Sequence, residues 1–215
     1  MNETVNPIVT FDRILSEVGK YYGDKLVQHG PNFRGVDWNS EESQELRYQQ
    51  LLKVLDTTSV FSINDYGCGY GALIEFLIAR GYTFRYRGFD ISKPMVDKAI
   101  ELHHGIEGCE FVSEGSSLAQ ADYTVASGIF NVRLRTTEAE WKEYVLYTIE
   151  RMAEISKKGF AFNMLTKYSD RDRMRSDLYY ADPEYIFWFC KANISRFVSL
   201  LHDYPLYEFT VIVKK

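Results

Sequence analysis

The stretch Asp65-Tyr66-Gly67-Cys68-Gly69-Tyr70-Gly71 constrains this chain more than any other. It follows the apolar run VFSIN and precedes ALIEFLIAR, so a glycine-rich turn joins a strand to a helix. Glycine lets the backbone turn sharply there and lets a ligand approach with no Cβ in the way. The helix start beyond Gly71 supplies free N–H groups. Spacing then separates ligand classes. A dinucleotide fold uses G-x-G-x-x-G, with a pyrophosphate over the helix start. This chain has G-x-G-x-G, and Asp65 stands two residues ahead of Gly67. A carboxylate at that point repels a pyrophosphate and favours a cationic amino group. Asp90 ends the next strand-like run, in Gly88-Phe89-Asp90-Ile91-Ser92. Its carboxylate can accept hydrogen bonds from two ribose hydroxyls, so the ligand suggested is a nucleoside bearing an amino acid.

The hydrophobic period supports that placement. Residues 8–28 carry Ile8, Phe11, Ile14, Leu15 and Val18 at helix spacing, and a Gly-, Pro- and Asn-rich loop follows over 29–40. Ser40, with Glu41 and Glu42 behind it, starts a second helix predicted to run to about Leu55. From residue 60 strands and helices alternate. TFRYRGFD, CEFVS, ADYTVASGIF and GFAFNMLT read as further strands, with helices over 93–104, 137–156 and 183–192. The end reads as two strands joined by a tight turn at Asp203-Tyr204-Pro205. This order predicts a doubly wound α/β fold, with a mostly parallel sheet covered by helices on both faces. The organisation expected is a helical cap over residues 1–58 and a catalytic domain over 59–215.

Composition closes off other classes. With 25 basic and 30 acidic residues the formal charge is −5, which argues against a dedicated nucleic-acid binder. No run approaches the length of a membrane-spanning helix, and the N-terminus MNETVNPIVTFDR has neither a basic start nor an apolar core. Cys68, Cys109 and Cys190 are widely spaced and fit neither a disulfide framework nor a metal site, so a cytoplasmic setting is expected. No metal-ligand spacing, paired acids or serine nucleophile elbow is present. The many tyrosines and phenylalanines read first as core and second as the lining of a pocket.

On DYGCGYG and GFDIS the chain resembles the class I S-adenosylmethionine-dependent methyltransferases, over about residues 55–215 in element order. HGPNFRGVDWNSEESQELRYQQLL is also similar to the N-terminal cap of a bacterial methyltransferase group. The resemblance implies a seven-stranded sheet of order 3-2-1-4-5-7-6 and S-adenosyl-L-methionine as cofactor. It implies that Gly67, Cys68 and Gly69 line the methionine part, that Asp90 holds the ribose, and that Ile91 and Met95 pack on the adenine. Ser116 stands where the family often places an acid near the adenine amino group, which is a departure. Ser127, Gly128 and Ile129 end the fourth strand and would lie beneath the sulfonium.

Around this cleft the sequence offers alternatives. Arg47 could pair with the cofactor's carboxylate or be a solvated arginine on an amphipathic helix. Gln44 shares its face. Trp38 could cover the cofactor or plug the core, and the core is preferred. Asn131 and Arg133 follow the fourth strand, on the side where open α/β sheets bind ligands. Lys167, Tyr168, Arg171, Arg173 and Arg175, with Tyr179 and Tyr180, follow the fifth strand and form either a substrate lid or a solvated run. No residue declares itself as the catalytic base. His29, Tyr168 and His202 are the weak candidates, and methyl transfer can proceed by in-line positioning without a strong base. The function expected is methyl transfer to oxygen or nitrogen of a small molecule, with no membrane partner. A tRNA methyltransferase, a non-enzymatic nucleoside sensor and a nicotinamide-dependent oxidoreductase are the rivals. Nothing in the sequence selects an oligomeric state.

Overall fold

The computed structural model describes residues 7–56 and 59–215, with side chains from residue 11 onward in the first helix. Readings that fell on residues 1–6, on the side chain of Ile8 and on the boundary at 58 lie outside the described residues. Helix α1 is Pro7–His29 and α2 is Glu41–Leu51, with a 3-10 turn at Phe33–Val36 between them. The alternating part follows as β1 Phe61–Tyr66, α3 Ala72–Ala79, β2 Phe84–Phe89, α4 Lys93–His103 and β3 Cys109–Val112. It continues with β4 Ala121–Ala126, α5 Glu138–Glu154, β5 Ser156–Leu165, α6 Pro183–Asn193, β6 Phe197–Leu201 and β7 Glu208–Lys214.

The seven strands form one sheet of order β3-β2-β1-β4-β5-β7-β6, the order expected. β1 pairs in parallel with β2 and β4, and β7 runs antiparallel between β5 and β6. Strand alternation explains the two cores. Phe160 and Phe162 of β5, with Phe209, Val211 and Val213 of β7, pack with Trp141, Val145 and Ile149 of α5. Ala161 and Ile212 face the other way, onto Leu51, Phe61, Leu73 and Leu77. Each face therefore buries a continuous apolar layer under helices. Ile14 and Val18 of α1 belong to the first layer, which seats the cap on the sheet.

Local chemistry sets the helix starts. Ser40 Oγ accepts from Ser43 N at 3.1 Å while Ser43 Oγ accepts from Ser40 N at 3.3 Å, a reciprocal cap. Thr137 and Glu140 form the same device at α5.

Several boundaries differ from the reading of the sequence. The fourth strand, expected to run to Phe130, ends at Ala126, so Ser127, Gly128 and Ile129 lie in the loop after it. The second helix ends at Leu51 and tightens into a 3-10 turn over Leu52–Val54. The helix expected to reach residue 156 stops at Glu154, because Ser156 already pairs with Ala121 as the first residue of β5. The final connection spans residues 202–207 and is longer than a tight turn, since Tyr204 folds inward to meet Thr210 Oγ1 at 2.9 Å.

Candidate active site

The turn after β1 is built by backbone. Gly67 N and Cys68 N both donate to Phe89 O, at 2.7 and 2.9 Å, so the turn is stitched to the end of β2. Gly67 has φ +84°, and a Cβ on it would fall 2.2 Å from Ile129 Cγ2. No other residue can make this turn beside the fourth-strand loop without displacing it. Asp90 completes the stitch, accepting from Gly69 N and Ser92 N at 2.8 Å each. Burial pushes its carboxyl up to about 6, partly offset by those two N–H donors. Asp65, also buried, accepts from Tyr86 Oη at 2.7 Å. Burial raises it to about 7 against the lowering effect of that hydrogen bond, and the nearby Asp90 raises it further.

These residues floor a narrow cleft with about 800 Å³ of space between its atoms, part of it open to solvent. It runs past Asp65, Gly67, Cys68 and Gly69, then Asp90, Ile91 and Met95, and reaches Ser127, Gly128 and Ile129. The cap supplies the roof. Val18 and Tyr22 come from α1, Val36 and Trp38 from the following loop, and Gln44 and Tyr48 from α2. α1 can lie this close because Gly19 and Gly23 face the β2–α4 turn. A Cβ on Gly19 would sit 3.3 Å from Ile91 O, and one on Gly23 would sit 3.4 Å from Ser92 Oγ.

A second cavity adjoins the first and shares the walls Tyr22, Val36 and Trp38. Trp38 is the partition, which corrects the preference for a core plug. One edge of its indole meets Gly128, where a Cβ would fall 2.2 Å from the ring, and Arg47 stacks 3.8 Å from the ring centroid. Behind it lies a polar chain. Arg47 Nε donates to both carboxylate oxygens of Glu208 at 3.0 Å, Asn163 Nδ2 donates to Glu208, and Gly128 N donates to Asn163 Oδ1 at 2.9 Å. Arg47 is 5% exposed and Glu208 1%, so this pair is effectively out of water. The chain ties α2 to β7, β5 and the loop under the cleft.

Ten of the twelve expected cofactor residues line the cleft, and two do not. Arg47 lines the second cavity instead. Its Nη1 donates to Ser43 O at 2.7 Å and its Nε and Nη2 donate to Glu208, so its charge is paired with that buried carboxylate on the far side of Trp38 from the glycine turn. Ser116 is exposed in a short turn after β3, outside the lining.

Of the expected acceptor residues, Asn131 and Tyr180 line the second cavity. Arg133 is a brace, donating to the carbonyls of Leu178, Thr136 and Ser176 at 3.1, 2.7 and 2.7 Å. Tyr179 sits in the α5-side core, where burial pushes its phenol up to about 12. Tyr168 is exposed and donates to Glu184 at 2.5 Å, with its ring against the exposed His202. His29 ends α1, and neither it nor His202 reaches either cavity. Missed altogether were Tyr22 and Glu208. The four-residue spacing of Gly19 and Gly23 was the available sign that α1 packs closely and brings Tyr22 in; nothing in sequence points to Glu208.

Two observations test whether a nucleoside carrying an amino acid and a sulfonium fits. Ser127 Oγ is buried in the cleft lining with no hydrogen-bond partner among the described residues. Gly67 and Gly69 take positive φ beside it, so the turn brings backbone with no side chain of its own at either position to the cleft wall. The residues present fit the group.

No family model matches the chain. It is 47% identical over 164 residues, 76% of its length and 99% of the relative's, to "Putative methyltransferase Rv1506c" of Mycobacterium tuberculosis. Its fold is similar to magnesium protoporphyrin IX methyltransferase from Synechocystis PCC 6803, solved with bound SAH. The TM-score is 0.66 and the identity 16%, covering 94% of this chain and 99% of that one. It is also similar to the N-methyltransferase NodS from Bradyrhizobium japonicum WM9, with TM-score 0.62, 13% identity, and 91% and 96% of the two chains covered. The glycine turn, the acid closing β2, the strand order and a relative of this identity agree: the chain belongs to the class I S-adenosylmethionine-dependent methyltransferase family.

Proposed function

We propose that this chain transfers a methyl group from S-adenosyl-L-methionine to an oxygen or nitrogen of a small-molecule acceptor. The observation that carries the reading is the pair of cavities meeting at Trp38, one floored by the glycine turn and one lined by polar side chains. The solved neighbours with SAH, including one named an N-methyltransferase, support the choice of cofactor. When bound, the cofactor supplies a methyl group on a positively charged sulfur, already activated toward nucleophiles. Asp90 would hold ribose hydroxyls while its own position is kept by Gly69 N and Ser92 N. Asp65 and the backbone of Gly67 and Cys68 would hold the amino-acid end. Ile91 and Met95 would flank the base, and Ser127, Gly128 and Ile129 would lie under the reacting centre. Trp38 and Tyr22 line both cavities; with the methyl already activated, the rate would come from positioning.

A tRNA acceptor is disfavoured because two of the four basic residues in the segment after β5 already have carboxylate partners. Lys167 is held by Asp182 and Glu184 at 2.9 and 3.2 Å, and Arg175 by Asp177 at 2.6 Å. No helix among the described residues is long and apolar enough to cross a membrane, and the three free cysteines suit a reducing, cytoplasmic setting.

Calorimetry tests the cofactor. S-adenosylhomocysteine should bind, and Asp90→Ala should weaken it about tenfold or more, the loss expected from hydrogen bonds to a buried charged acceptor. Tight NAD binding with no response to either nucleoside would overturn the reading. Release of S-adenosylhomocysteine on mixing with a small-metabolite fraction separates an enzyme from a sensor. Methylation of bulk tRNA, lost when Lys167, Arg171, Arg173 and Arg175 become alanine, would replace the small-molecule acceptor.

A further inference from the structure

The second cavity offers hydrogen-bond donors and no proton acceptor poised to work. Its carboxylates are engaged: Glu208 with Arg47, and Asp37 with Lys25 at 2.6 Å and Tyr21 at 2.7 Å. Of its three guanidinium groups, Arg47 is taken by Glu208 and Arg175 by Asp177. Arg173 lines the cavity and has no carboxylate within ion-pair distance among the described residues. Two neutral donors join it. Asn131 Oδ1 accepts from Leu165 N at 3.1 Å, which leaves its Nδ2 to donate. The Tyr180 hydroxyl oxygen accepts from Arg175 N at 2.9 Å, which leaves its O–H to donate.

None of His29, His103, His104 and His202 lines either cavity. His103 is buried at the end of α4, its Nε2 3.1 Å from Tyr70 O. Asp65 and Asp90 lie on the cofactor side of Trp38. Tyr22, on the shared wall, is held protonated by burial. An ammonium or an alcohol arriving here would meet no group on its own side ready to take its proton. An anion needs none.

Resting on the methyltransferase reading above, we propose that the acceptor presents an oxygen anion, a carboxylate or an acidic phenol or enol, to the wall formed by Arg173, Asn131 and Tyr180, and leaves as a neutral methyl ester or ether. In the step, a lone pair on the acceptor oxygen forms the new O–C bond to the methyl carbon. The C–S bond breaks and its electron pair stays on sulfur. The acceptor loses its negative charge, the sulfur loses its positive charge, and no proton moves. Charge-assisted donors such as a guanidinium are the groups that hold an oxyanion best.

The test titrates the full chain, preloaded with S-adenosylhomocysteine, with phenylacetate, 4-nitrophenolate, phenethylamine and benzyl alcohol, read by ligand-observed NMR. The two anions should bind at least about tenfold more tightly than the amine or the alcohol, a difference of about 1.4 kcal/mol. Whichever anion binds better names the source, carboxylate or phenol. Arg173→Ala should abolish the preference. Arg171→Ala, at an arginine exposed like Arg173 but outside both cavities, should keep it. Equal or tighter binding of the amine or alcohol overturns the proposal, as does binding of no probe while S-adenosylhomocysteine stays bound. If S-adenosylhomocysteine itself does not bind, the failure belongs to the methyltransferase reading beneath.

Discussion

The two cavities that meet at Trp38 are built by opposite means. The cofactor cleft is floored by backbone at the ends of adjacent parallel strands, where Gly67, Cys68 and Gly69 present N–H groups to Phe89 O and Asp90. The second cavity is walled by side chains from distant parts of the chain, and its central tie joins Arg47 to Glu208 across 161 residues. A backbone floor depends on one conformation and tolerates few substitutions. A wall of side chains can be changed residue by residue while the sheet stays as it is. On the function proposed above, the shared chemistry would sit on the first and the choice of acceptor on the second.

The comparison breaks most sharply at Glu208. Glu208→Ala leaves the Arg47 guanidinium buried without its partner, and a loss of about 3–5 kcal/mol in stability is expected from denaturant unfolding. The double change Arg47→Met with Glu208→Leu should recover most of it, because an apolar pair replaces the ions. If the single and double variants lose stability equally, the tie is not what holds the second wall.

Next comes pH. Asp65 and Asp90 are raised by burial to about 7 and about 6, above the ordinary carboxylate value of 3.8. An acid raised in the folded state binds more protons folded than unfolded, so its contribution to stability falls as pH rises from about 4 to about 7. Asp65→Asn should remove a penalty on the order of a few kcal/mol above that window and flatten the pH dependence of thermal unfolding relative to the wild type. An unchanged difference between the two proteins from pH 4.5 to 7.5 would remove Asp65 from the account.

Gly67→Ala probes the floor itself. A left-handed φ and a Cβ pressed on Ile129 Cγ2 should cost about 1–3 kcal/mol, seen together as lower stability and weaker S-adenosylhomocysteine binding. At the small end, Lys93→Ala removes an exposed pair with Asp97 on α4, and no more than about 0.5 kcal/mol should change in unfolding, with cofactor affinity intact.

What could be read from the sequence follows the same division. The strand, turn and helix around Gly67 are contiguous, so spacing alone located them, and Asp90 was found because it ends the next strand. Ser40 was recognisable as a helix start because capping is local chemistry. Arg47 was assigned to the cofactor because its helix face was visible and its partner on β7 was not. Tyr179 and Tyr180 are neighbours in sequence, yet one enters the core and the other the cavity. The backbone bridge of Tyr179 N to Asn131 O sets that alternation, and it is a long-range contact. Ser116 was placed by analogy with an element end, and the short turn after β3 carries it into solvent.

The tie between Arg47 and Glu208 also bears on inheritance. An arginine in the cap and a glutamate on the last strand, each nearly dry, form one character with two addresses in the gene. A lineage that loses either residue alone carries an uncompensated buried charge, so selection acts on the pair. Relatives that have replaced the arginine at position 47 are expected to have replaced the acid at 208 as well.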